Sequence, residues 1–150
     1  MRRTVRASLA VAAGLVALQL VRVDRTNPPV ERDIGAPPDV AAVLRRACYD
    51  CHSHETAWPW YTHVAPLSWL VASDVTEGRL RLNFSRWTAY TSDPGTVQCK
   101  LDHIVTAVGE IDMPPWHYRL LHAEARLEPE ERARIARWAE RESAAITPDP

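Results

Sequence analysis

The stretch Asp39-Val40-Ala41-Ala42-Val43-Leu44-Arg45-Arg46-Ala47-Cys48-Tyr49-Asp50-Cys51-His52 carries two signals in succession. In its first half Val40, Val43, Leu44 and Ala47 fall at i, i+3, i+4 and i+7, one face of a short helix that Asp39 can begin. Its second half is C-x-x-C-H, starting on that same edge. Two thiols at this spacing can each form a thioether with one of the two vinyl groups of a porphyrin, and the histidine that follows is then held beneath the iron as proximal ligand. Cys48, Cys51 and His52 are therefore the candidate haem-binding residues, His52 also binding the metal.

Two other readings of the motif need different surroundings. A thioredoxin-like dithiol sits where a strand meets a helix in a βαβ unit, and no segment here alternates apolar and polar residues as a strand would. A structural zinc module needs four ligands, which Cys48, Cys51, His52 or His54 and Cys99 could supply on paper, although no second Cys pair or His pair completes the pattern.

Downstream, helical periodicity recurs. A second helix reads from Pro66, with Leu67, Leu70, Val71 and Val75 on one side and Gly78 near its end. A third starts at Asp93-Pro94 and carries Val97, Leu101, Ile104, Val105 and Val108 up to Gly109. The last begins at Pro129, with Glu128, Glu130 and Glu131 at the positive end of its dipole and Ile135, Trp138, Ala139 and Ile146 as its buried stripe. The expected fold is all-α, a small cytochrome c-like bundle of about four or five short helices around one covalently bound haem.

Upstream of the motif, Arg2, Arg3 and Arg6 precede an apolar run from Ala7 to Val21, the order of an export signal. No small-x-small cleavage pattern follows, since Ala17-Leu18-Gln19 is a poor substitute, so residues 1–25 read as an export signal or a membrane anchor. The run falls short of a ~30 Å hydrocarbon core unless Val23 and snorkelling Arg22 and Arg25 extend it. Thr4-Val5-Arg6 supplies none of the residues that follow a twin-arginine pair. Residues 26–38, with Pro28-Pro29 and Pro37-Pro38, read as a Pro-rich linker, and 39–150 as the haem-binding cytochrome c-like domain. The expected location is the periplasm or another extracytoplasmic space, with possible anchoring to the inner membrane.

Bulk composition narrows the class. A net charge of −1 lacks the clustered basic excess of a nucleic-acid binder. Three cysteines, one of them alone at Cys99, are too few and too unevenly placed for a disulfide framework. Cys99 and His103, four apart on the third helix, could share a face, and an unpaired Cys99 could link two copies.

Opposite a proximal histidine the iron has a second axial position, and its occupant separates electron carrier from catalyst. Met113 is the candidate: apart from Met1 it is the chain's one methionine, and it lies in Ile111-Asp112-Met113-Pro114-Pro115-Trp116, where the prolines stiffen the backbone. A methionine can equally be core filler. His117 and His122 are close enough in sequence to make a bis-histidine site, whereas His54 lies too near His52, and His63 and His103 carry no motif. Trp58, Trp60, Tyr61 and Trp69 cluster after the motif and could wall a flat macrocycle.

The chain resembles the bacterial haem-binding domain family related to cytochrome c, through Ala47-Cys48-Tyr49-Asp50-Cys51-His52-Ser53, Trp58-Pro59-Trp60-Tyr61, Ala65-Pro66-Leu67-Ser68-Trp69-Leu70, Leu82-Asn83-Phe84-Ser85 and Met113-Pro114-Pro115. The resemblance implies a C-x-x-C-H haem site and occurrence beside cytochrome c and cytochrome c peroxidase modules. Met113 as ligand rests on analogy with cytochromes c in general. The expected function is a monohaem c-type cytochrome that transfers electrons to redox partner proteins outside the cytoplasm, a carrier in preference to an enzyme. The rivals are a haem enzyme or gas sensor with an open sixth site and, behind it, the zinc module.

Overall fold

The computed structural model describes residues 2–110 and 113–146; Ile111 and Asp112 of the methionine segment, and the last four residues of the expected domain, lie outside that description. The described chain forms seven α-helices: α1 (Arg2–Leu18), α2 (Pro38–Ala47), α3 (Tyr49–His52), α4 (Leu67–Arg81), α5 (Pro94–Gly109), α6 (Trp116–Leu121) and α7 (Pro129–Ala145). Among the described residues there is no strand, only an isolated bridge between Arg32 and Arg86. The all-α expectation therefore holds. The four long helices of the domain are those read from periodicity, and the excess over four or five comes from α1 and from two pieces too short to show a period, α3 and α6.

The long helices begin where their residues dictate. Pro38 stands in the first turn of α2, and the Asp93 carboxylate accepts from the backbone N–H groups of Gly95 and Thr96 at the start of α5. At α7, Glu128 and Glu131 form a reciprocal capping box ahead of the dipole's positive end. Val40, Val43, Leu44 and Ala47 of α2 are all buried, and they join Leu101, Ile104 and Val108 of α5 and Ile135, Trp138 and Ala139 of α7 in one core. The pairing of α5 with α7 is the most extensive in the molecule, α2 leans on α7, and α3 rests on α4. Ile146 packs against this core from just beyond the helix end.

Two details differ from the periodic reading. Helix α4 buries Ser68, Ala72, Val75 and Gly78, while Leu67 and Leu70 are exposed. The buried side is made of small residues because it presses against the α3 backbone: a Cβ on Gly78 would lie 2.5 Å from the Cys51 carbonyl oxygen. Gly78 consequently sits inside the helix, which runs on to Arg81.

Residues 26–37 cross the domain as a strap. Arg79 donates to Thr26 O, Asn27 Oδ1 and Ser53 O at 2.8–2.9 Å, Ser85 O accepts from the N–H groups of Glu31 and Arg32, and Trp87 N–H returns to Arg32 O. Tyr49 O–H donates to Asp33. Helix α1 buries none of its residues. Among the described residues no helix is long and apolar enough to cross a membrane.

Candidate functional site

Cys48, Cys51 and His52 occupy a single turn. The N–H groups of Cys51 and His52 both point to Cys48 O, at 3.2 and 2.9 Å, so α3 winds directly out of the end of α2. The two cysteines are free and half-buried. Burial pushes each thiol up to about 12; Arg132 and Arg46 partly oppose this at Cys48, while Asp74 and Asp50 add to it at Cys51. Both are therefore neutral thiols in the metal-free protein at physiological pH.

The His52 ring is fixed by main-chain carbonyls. Its Nδ1 lies 3.0 Å from Leu82 O and 3.1 Å from Gly78 O. Since both partners can only accept, Nδ1 carries the proton and Nε2 keeps its lone pair. Burial lowers the pKa of the ring, against the two carbonyls, and so favours the neutral form that a metal requires.

The segment Leu82–Ser85 supports the whole turn. Leu82 O holds His52, and Phe84 N–H donates to His52 O at 2.7 Å. The Phe84 ring stacks on Tyr49, with 5.0 Å between centroids. Ser85 Oγ accepts from His54 N–H. Asn83 Oδ1 accepts from Ser85 N–H, which turns Nδ2 toward His54 Nε2 at 2.9 Å. His54 Nδ1–H in turn reaches Pro29 O on the strap. Both nitrogens of His54 are thus engaged in holding structure, consistent with its having no place opposite His52.

These residues wall a cleft of about 540 Å³, large enough for a sizeable planar ligand, in which Cys48, Cys51, His52, Phe84, Met113 and Tyr118 take part. Met113 comes in from the far side of the chain. Its N–H donates to Ala107 O at 3.3 Å, and the Arg132 guanidinium donates to Met113 O and Val108 O at 3.1 and 2.8 Å, binding this segment to the end of α5. The four residues singled out from sequence therefore line one cleft. A neutral imidazole nitrogen, two protonated thiols and a thioether in an apolar recess form a donor set that fits a covalently held haem.

His117 and His122 face elsewhere. His117 Nε2 pairs with Asp74 at 2.9 Å, and His122 Nε2 meets Tyr61 O–H at 2.6 Å. Both line a neighbouring groove and not the cleft. His103 does reach the cleft wall, with Nε2 3.9 Å from Cys99 Sγ. Among the described residues no three His, Cys, Asp or Glu side chains converge on a metal position, so the four-ligand zinc arrangement is not formed; Cys99 is exposed on α5. The aromatic wall also differs from expectation. Phe84 and Tyr118 border the cleft, whereas Trp58, Trp60 and Trp69 do not and Tyr61 lines the groove.

Sequence reasoning missed Arg132, Asn83 and Gly78. Only Asn83 left a trace, within the Leu82–Ser85 similarity.

A family profile described as a haem-binding domain matches residues 13–141. No curated protein and no solved structure matches the chain.

Proposed function

Because the chain belongs to the haem-binding domain family, and so binds haem, we propose that it is a monohaem c-type cytochrome that carries electrons outside the cytoplasm. The observation that carries this reading is the free Nε2 of His52, in the same cleft as two unpaired thiols while Nδ1 is committed to carbonyls. Each thiol would be the group that adds across a vinyl of the haem, its sulfur bonding to one carbon and its hydrogen passing to the other. Cys48 and Cys51 would hold the haem beside α3, and His52 Nε2 would supply a nitrogen to its iron. Met113, which lines the same cleft, would supply a soft, neutral sulfur that favours ferrous iron. When bound, the group contributes a one-electron iron couple. Phe84, Ile104 and Val108 keep water from it.

The basic-then-apolar order of the amino end, carried by α1, supports export, with the helix either removed or kept as a membrane anchor. Redox proteins are the expected partners.

Protein matured with haem-ligation machinery should keep its colour after denaturation and gain the mass of one haem; apoprotein alone, or zinc, refutes the reading. Met113→Ala should lower the reduction potential, shift the ferric spectrum from low to high spin and abolish the near-infrared sulfur-to-iron band. A wild type that is already high-spin and binds carbon monoxide rapidly would instead mark an open sixth site, hence an enzyme or sensor.

A further inference from the structure

A second groove, of about 360 Å³, runs between α4 and α6 beside the cleft. Its apolar walls are Leu67, Leu70 and Val71 on one side and Trp116, Leu120 and Leu121 on the other. These are not core residues: Trp116, Leu120 and Leu121 are 68%, 66% and 60% exposed, more apolar surface in one place than a water-facing side normally carries. Trp60, also exposed, meets the groove residue Tyr61 edge-on.

The end of α1 is fixed beside this groove. Gln19 Oε1 accepts from Ala65 N–H at 2.9 Å and its Nε2 donates to Ala65 O at 3.4 Å, while Arg25 reaches Thr62 O. Ala65 lies two residues before Leu67, the first residue of α4. An apolar helix with no buried residue therefore ends where the apolar face begins.

We propose that the α4–α6 groove face rests on the surface of the lipid bilayer in which α1 lies. The proposal depends on α1 being retained as an anchor, as allowed above. Seventeen residues of helix extend about 25 Å, less than the ~30 Å of hydrocarbon, so α1 alone holds the membrane weakly. A second apolar contact supplies the additional attachment that stable anchoring requires. Tryptophans 60 and 116 then sit at the depth where indole rings, apolar with one polar N–H, are favoured. Cys51 and Tyr118 border both groove and cleft, so the haem cleft would be held close to the bilayer.

The test uses the full haem-loaded chain in vesicles of phosphatidylethanolamine and phosphatidylglycerol, with a carbene precursor confined to the hydrocarbon and labelled peptides mapped by mass spectrometry. Label is expected on α1, on Leu67–Val71 and on Trp116–Leu121, and absent from α7. Leu120→Gln with Leu121→Gln, both exposed and so tolerated by the fold, should weaken vesicle partitioning roughly tenfold. Label on α1 with none on the groove overturns the proposal and leaves the anchor intact. No label on α1 overturns both. Unchanged partitioning of the double variant, or cross-linking of the groove to a second copy in place of lipid labelling, also overturns it.

Discussion

At the scale of single residues, the site depends on small and main-chain features around a conspicuous motif. Gly78 lets α4 touch the Cys51 carbonyl and offers its own carbonyl to His52. Gly78→Ala gains about 1 kcal/mol of helix propensity but forces the helix off the α3 turn, so a net loss of about 1–3 kcal/mol is expected in denaturant melts, together with reduced haem incorporation. Asn83→Ala removes the partner of His54 Nε2, which is buried with nothing else to accept from. That should cost about 1–3 kcal/mol by the same measurement while the thioether-bound haem remains. Cys48, Cys51 and His52 could be grouped from sequence because their spacing is short and fixed, and the structure puts them in one turn beside one cleft. The carbonyls of Leu82 and Gly78 that orient His52 were not legible, since a main-chain acceptor leaves no mark on residue identity.

At the scale of elements, the first turn of α7 does two things with adjacent residues. Glu131 closes the capping box of its own helix and accepts twice from Arg46 of α2 at 2.8 Å. Glu131→Ala should therefore lower stability by about 1 kcal/mol, most of which Glu131→Gln should restore. Arg132 holds the Met113 segment to the end of α5. Arg132→Met should leave the haem covalently attached but loosen that segment, read as partial high-spin character and faster carbon monoxide binding, with Arg132→Lys nearer the wild type. An unchanged spectrum in the methionine variant would remove Arg132 from this role. Helices α2, α5 and α7 were legible because each has one apolar face and a proline-led or acidic start. On α4 Leu67 and Leu70 line the groove, while Val75 of the same stripe is buried with the small residues Ser68, Ala72 and Gly78, so the apolar pattern marked only part of the buried side. Helix α6, six residues long and preceded by two prolines, offers too little chain for a period to appear.

At the scale of the whole molecule, Cys99 is the one cysteine outside the turn of Cys48 and Cys51 and it is exposed. Air-oxidised protein should show a dimer band on a non-reducing gel that Cys99→Ser abolishes with no change in the haem spectrum. The strap of residues 26–37 has a wider consequence. It joins α1 to the domain through Arg79, which binds Thr26 and Asn27 on one side and Ser53, immediately after His52, on the other. If α1 is held in a membrane, tension entering along the chain arrives first at the bonds of Gln19 to Ala65 and of Arg25 to Thr62, and then at that guanidinium and at the ladder from Glu31 and Arg32 to Ser85. These bonds lie across the path to α2, so they must shear before the pull reaches the helix that ends in Cys48. In mechanical terms the strap is a strain relief: the tether can be tugged while the iron's surroundings keep their shape.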